Sequence, residues 1–150
     1  MGCVIRLATK DDAAEISRLV FLALHESNAR DHGPEIIDRI AQDFTPDWIA
    51  SRIATRQVFV AVETSRIVGT ASRDGDIVRA VFVAPDALER GIGRALMAEI
   101  GRAALDAGVA MLTLHSSLTA MGFYDRLGFR TVREHHHGDE RTIVMQQSMG

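Results

Sequence analysis

Two glycines one residue apart, Gly91 and Gly93, sit in the stretch LERGIGRALM, just where an apolar periodicity of helical spacing begins. Glycine costs a helix about 0.5–1 kcal/mol relative to alanine. The backbone there therefore needs either a special turn or a very close neighbour. A glycine turn between a strand and a helix leaves several backbone N–H groups unpaired, and the helix dipole adds partial positive charge at the same point. The pair predicts an anion site of the kind that takes phosphate, with no Cβ to hold a pyrophosphate off the main chain. Arg90 and Arg94 add side-chain charge, and an ordinary tight turn is the reading the glycines alone leave open. The Gly-Lys-Ser/Thr of a P-loop is absent, and Arg94, Ala95 and Leu96 do not supply the third glycine of a dinucleotide fingerprint.

Other residues with chemistry are single. Tyr124, the sole tyrosine, lies in FYDRLGF (123–129), either as a general acid or as a packed ring with a satisfied hydroxyl. His115 closes the apolar run AMLTLHS (110–116), and His25 stands beside Glu26; each is a candidate base or a structural histidine. The run HHHGDE (135–140) reads as a solvated hairpin turn, because consecutive histidines point in different directions and no second ligand cluster accompanies them. No metal is expected. The acidic Asp43, Asp47, Glu134 and Asp139 suit a cationic amine or are ordinary surface. Arg126 and Arg130 either flank a nucleotide or are surface charges.

These residues need a scaffold to position them. The segment VIRLA (4–8) predicts a strand, and Thr9 with Asp12 has capping-box spacing. Ile16, Leu19, Val20, Ala23 and Leu24 form one helical stripe. HGP (32–34) breaks the chain, a second helix runs over about 35–43, and Thr45-Pro46 starts a third. Strands follow at 58–62 and 66–72, joined by a tight turn at Thr64-Ser65, then a turn signalled by Asp74-Gly75 and a strand at 77–83. The helix after the glycines carries Ile92, Leu96, Ile100 and Ala103 on one face and ends at Gly108. The strand–helix–strand order over 77–116 predicts a parallel pair with a right-handed crossover. A short helix at about 120–127 and two closing strands complete an α+β pattern.

The chain has 150 residues, 47% hydrophobic and 25% charged, which predicts one domain over 1–150. The formal net charge of −3 gives no bulk basic surface for nucleic acid. Cys3 is the only cysteine, so no intrachain disulfide forms, and no apolar run approaches the ~20 residues of a membrane span. A soluble cytoplasmic protein, with neither nucleic acid nor membrane as partner, is the expectation.

VFVAPDALERGIGRALM resembles the acetyl-CoA signature of the GNAT N-acyltransferase superfamily: a hydrophobic strand, Val-x-Pro, then Gln/Arg-x-x-Gly-x-Gly/Ala opening a helix. FYDRLGF resembles the family's second signature, and IRLATKDDAAEISRLV its first strand and helix. The resemblance implies a mixed, mostly antiparallel sheet of about six to seven strands with a central parallel βαβ unit. It implies N-acetyl transfer from acetyl-CoA to a small-molecule or peptide amine, with a homodimer as a common assembly. The strands at 77–83 and 110–116 would splay to admit the pantetheine arm. A main-chain N–H near Phe82 or Val83 would meet the thioester oxygen. Ala84, Arg90, Gly91, Ile92, Gly93 and Arg94 would surround the pyrophosphate, and Tyr124 would protonate the departing sulfur. Against the family pattern, Leu88 replaces Gln or Arg, Glu89 replaces a common Gly, and Ser117 stands at a frequent Asn. No Glu occupies 77–83, where many relatives carry a base. A non-catalytic acyl-CoA sensor and an unrelated nucleotide-binding α/β domain are the competing readings.

Overall fold

The computed structural model describes residues 3–26, 33–137 and 140–149. Strand β1 (Val4–Leu7) leads through one 3-10 turn into helix α1 (Ala13–Glu26). The Asp12 carboxylate accepts from the Thr9 N–H at 2.7 Å and pairs with the Arg6 guanidinium at 2.8 and 3.0 Å, which fixes where the helix leaves the strand. The stripe Ile16, Leu19, Val20, Ala23 and Leu24 is buried throughout. Helices α2 (Pro34–Asp43) and α3 (Pro46–Thr55) follow, and the Thr45 hydroxyl accepts from the Trp48 N–H at 3.2 Å as a true cap.

Strands β2 (Gln57–Glu63), β3 (Arg66–Asp74) and β4 (Ile77–Val83) form an antiparallel meander. Thr64 and Ser65 turn the first hairpin with φ of 51° and 63°. The second turn sits on Gly75-Asp76, one residue later than the Asp74-Gly75 signal suggested, because Asp74 still pairs with Ile77. Helix α4 (Ile92–Asp106) crosses to β5 (Met111–Ser116); α5 (Met121–Arg126) and the strands β6 (Arg130–His137) and β7 (Glu140–Ser148) close the chain. The turn residues Gly138 and Asp139 lie outside the described residues, as does His32 in the expected chain break.

The seven strands are ordered β1-β2-β3-β4-β5-β7-β6, and every neighbouring pair is antiparallel except β4 with β5. On α4 the core row is Ile92, Leu96, Ile100 and Ala104, and the anticipated Ala103 is only half-buried at its edge. A Cβ on Gly69 of β3 would touch Ile92 and Leu96, so that face of the sheet carries α4. The neighbouring Thr70 turns the other way, toward a small cavity of about 20 Å³ lined by α1 and α3. The two helix layers thus lie on opposite faces. Thr70 and Ser72, both buried, donate to the carbonyls of Phe59 and Arg79 at 2.9 and 2.8 Å. Among the described residues no helix is long and apolar enough to cross a membrane.

Candidate active site

The parallel pairing of β4 with β5 is confined to one place. Ile77 lies opposite Thr113, the Thr113 N–H donates to the Asp76 carbonyl at 2.9 Å, and no later residue of β4 has a partner on β5. Beyond that point β5 stays paired to β7 and β4 to β3, so the sheet opens between them. The Ala84 N–H donates to the Val68 carbonyl at 2.8 Å, which puts Val83 and Gly69 in the non-hydrogen-bonded position of the antiparallel ladder. The Val83 N–H therefore points away from β3, into the opening.

Past Val83 the chain makes a single 3-10 turn over Pro85–Ala87 and enters α4 through Gly91. Glu89 has φ +63° and Gly91 φ +80°, both left-handed. Only the second is a glycine, so the conformation at Glu89 is strained. Gly91 is the helix cap and has no side chain to satisfy the first turn. The Ala95 N–H is the first to find a helical carbonyl, that of Gly91 at 3.0 Å, which leaves the N–H groups of Ile92, Gly93 and Arg94 directed outward. A Cβ on Gly91 would meet nothing within 4 Å, whereas one on Gly93 would lie 3.1 Å from the Phe123 ring.

These donors and the opening share a cleft of about 890 Å³. Phe82, Val83, Gly91, Ile92, Gly93, Arg94 and Tyr124 line it, and Val81, Leu88, Glu89, Thr119, Phe123 and Arg126 are among the other residues of its wall. Arg126 and Arg130 thereby separate: the first borders the cleft, the second begins β6. Among the site residues expected from sequence, Ala84, Arg90, Ser117 and His115 do not line it. Ala84 is buried beneath the turn. Arg90 is ion-paired with Glu63, and Arg66 with Asp86 at 2.6 Å, so both ends of the β2–β3 hairpin turn grip the loop. The Ser117 hydroxyl accepts from the Ala120 N–H at 3.2 Å and tightens the turn into α5.

Tyr124 is buried, its ring edge-on to Phe123 and Phe129 at 5.0 and 6.0 Å. Burial pushes its phenol well above the ordinary value, so the hydroxyl is protonated at neutral pH. No hydrogen bond is made by that hydroxyl among the described residues; the side chain faces the cleft with a proton to give. His115 lies outside, exposed on β5, with Nδ1 3.4 Å from the Thr142 hydroxyl and its ring 5.1 Å from that of His135. Desolvation, then the positive charges of His135, Arg79 and Arg133, hold its pKa below the ordinary value, which favours a neutral imidazole. His25 is the opposite case. Its Nδ1 meets the Phe21 carbonyl at 2.8 Å and its Nε2 the Asp38 carboxylate at 3.2 Å, and both raise its pKa. Two acceptors leave that ring no free lone pair with which to act as a base.

The histidine run divides between faces: His135 turns toward His115, while His136 meets Glu134, itself paired with Arg141. Glu134 is thus engaged by its neighbours, and Asp139 lies outside the described residues. Sequence reasoning missed Phe123 and Thr119. Phe123 adjoins Tyr124 in the quoted motif, and its size opposite a glycine is the signal that could have found it.

The model of a GNAT acetyltransferase domain matches residues 28–146. An uncharacterized N-acetyltransferase of Escherichia coli K12, YafP, is 28% identical over 130 residues, covering 87% of this chain and 83% of that one. Among solved structures, an N-acetyltransferase from Rhodopseudomonas palustris superposes with a TM-score of 0.91 at 21% identity, covering 99% of this chain and 96% of the other. YncA from Salmonella typhimurium, a putative acetyltransferase solved with acetyl-CoA, gives 0.73 at 20% identity, covering 100% and 95%.

Proposed function

Because this chain belongs to the GNAT acetyltransferase family, we propose that it moves an acetyl group from acetyl-CoA to an amine by direct attack in a ternary complex, within a single domain. The observation that carries the reading is the shared cleft. The unpaired N–H groups of Ile92, Gly93 and Arg94 and the inward Val83 N–H open onto one space at the point where β4 and β5 part. Residues present fit the group: a left-handed glycine with open space around its α-carbon caps a fifteen-residue helix, as a pyrophosphate cradle requires. When bound, acetyl-CoA supplies an activated thioester.

The protein's own part has three steps. Ile92, Gly93 and Arg94 hold the pyrophosphate on the positive end of α4, with the Arg94 side chain beside it. The Val83 N–H donates to the thioester carbonyl oxygen as negative charge develops there. The Tyr124 hydroxyl donates to the sulfur as the carbon–sulfur bond breaks. The attacking amine must be neutral, and a lysine-like amine is free base in only about one molecule in a thousand near pH 7.4. His115 is neutral at that pH, its Nε2 makes no hydrogen bond among the described residues, and it lies on β5 two residues past Thr113, the last residue paired to β4. It takes the amine's proton through solvent. A non-catalytic acyl-CoA sensor is the second reading, favoured by the lack of any carboxylate on β4. Thiol release from acetyl-CoA across a panel of amines decides: amine-dependent turnover supports the enzyme, and tight acetyl-CoA binding without turnover of any amine supports the sensor.

A further inference from the structure

The sheet face that carries α1 and α3 collects cations on a chain of formal net charge −3. Arg79 on β4 and His115 on β5 each lie two residues past the last pair, Ile77 and Thr113, near enough for the guanidinium charge to act on the imidazole, and Arg79 stands two residues before Val81, which lines the cleft. Antiparallel register brings Val144 opposite His115 and Arg133 opposite Val144, with His135 opposite Thr142. Arg79 and Arg133 both act on His115, and Arg79 also acts on Arg56. Arg56 and Arg52 flank the Trp48 ring, their guanidinium carbons 5.8 and 4.8 Å from its centre.

Like charges on one face repel, and these are poorly compensated from within. Among the described residues, Asp74, 3.6 Å from the Arg56 Nε, is the one carboxylate paired with any of the four arginines, and the buried Arg52 Nε has no hydrogen-bond partner. Arg79 and Arg133 make neither an ion pair nor a side-chain hydrogen bond among those residues, while Glu134, Arg141 and His136 satisfy one another on the opposite face of the hairpin. Unpaired guanidinium groups beside an opening are suited to an anion, and their planar fork matches carboxylate or phosphate.

We infer that this face holds the acceptor by an acidic group, so that the preferred acceptor is a small amine bearing a carboxylate or a phosphate. Two strand residues span roughly 7 Å, a separation that a small amino acid or phosphorylated amine bridges with its acid on Arg79 and Arg133 and its nitrogen at the cleft. The cationic-amine preference suggested by Asp43, Asp47 and Glu134 is not what this face offers. The inference rests on the acetyl-transfer reading above and specifies its acceptor.

The test compares matched probes, glutamate against its carboxylate-free diamide glutaminamide and phosphoethanolamine against ethanolamine, in wild type and in the double variant Arg79→Ala/Arg133→Ala. Thiol release gives kcat/KM, and calorimetry gives acetyl-CoA affinity. The anionic member of a pair should be favoured by about ten- to a hundredfold in wild type. In the double variant that preference, read as the ratio of the two members' kcat/KM so that any change at His115 cancels, should collapse, with acetyl-CoA affinity unchanged. Equal or better use of neutral amines or spermidine, or a preference that survives the double variant, overturns the inference. So does the absence of both turnover and any melting-temperature shift with either anionic probe, with or without acetyl-CoA. Salt-dependent binding of a single-stranded oligonucleotide with no small-molecule preference overturns it in favour of a polyanion. Failure of acetyl-CoA itself to bind, with phosphoethanolamine still raising the melting temperature of wild type alone, defeats the acetyl-transfer reading and leaves the anion site standing.

Discussion

Replacing Tyr124 by phenylalanine removes one oxygen and nothing else. The ring keeps its edge-on contacts with Phe123 and Phe129. Because the hydroxyl makes no hydrogen bond among the described residues, its loss breaks none there, and stability should stay within about 0.5 kcal/mol of wild type. The catalytic effect is bounded by two opposing facts. General acid catalysis is worth typically 10²–10⁴-fold when the acid's pKa lies near the working pH. Here burial drives the phenol's pKa upward, and a thiolate of pKa about 8.5 is a fair leaving group unaided. The proton is therefore shared with the sulfur late and incompletely. A fall in kcat of ten- to a hundredfold follows, about 1.4–2.7 kcal/mol of transition-state stabilisation, with acetyl-CoA affinity little changed. Steady-state kinetics with two acyl donors of different thiol pKa read this out, and the loss should shrink for the more acidic thiol. Equal kcat in the two proteins, or a loss independent of the donor thiol, would show that Tyr124 only packs.

Other expectations rest on backbone and charge. Glu89→Gly relieves a left-handed residue and should stabilise the fold by about 1 kcal/mol, while removing a carboxylate beside the pyrophosphate site; thermal melts should rise and calorimetric acetyl-CoA affinity should tighten. Gly69→Ala puts a methyl 2.9 Å from both Ile92 and Leu96 and should destabilise by about 1–3 kcal/mol through overpacking, measured by urea unfolding. Asp12 is held below the ordinary carboxylate range, first by the Arg6 hydrogen bond and then by the Thr9 N–H, against desolvation. A depressed folded pKa contributes stability that is full above the unfolded value of about 3.9 and fades as pH falls through the folded one. Asp12→Asn should therefore cost about 1–3 kcal/mol near pH 7, and its deficit relative to wild type should narrow only below about pH 4 in pH-dependent melts.

Local patterns were readable because neighbours in sequence create them. The buried stripe of α1, the Thr45 cap, the Thr64-Ser65 turn and the glycine-led start of α4 all follow from spacing within a few residues. The opening between β4 and β5 came from the family resemblance, since no spacing encodes where a parallel ladder stops. What stayed hidden depends on partners far along the chain. Arg90 was expected at the pyrophosphate, but Glu63, 27 residues earlier, holds it. The insertion of β7 between β5 and β6 follows from long-range pairing. It is also what gathers Arg133 and His135 beside His115, so the cationic face could not be read from a run of residues. The left-handed Glu89 was foreshadowed by the glycine common there in relatives, yet its strain needed the backbone to be seen.

A crystal structure of the protein grown with acetyl-CoA tests the central claim most directly. The account predicts the pyrophosphate on the N–H groups of Ile92, Gly93 and Arg94, the thioester oxygen within hydrogen-bond distance of the Val83 N–H, and the sulfur facing the Tyr124 hydroxyl. Acetyl-CoA bound elsewhere, or its thioester turned away from the space between β4 and β5, would contradict it.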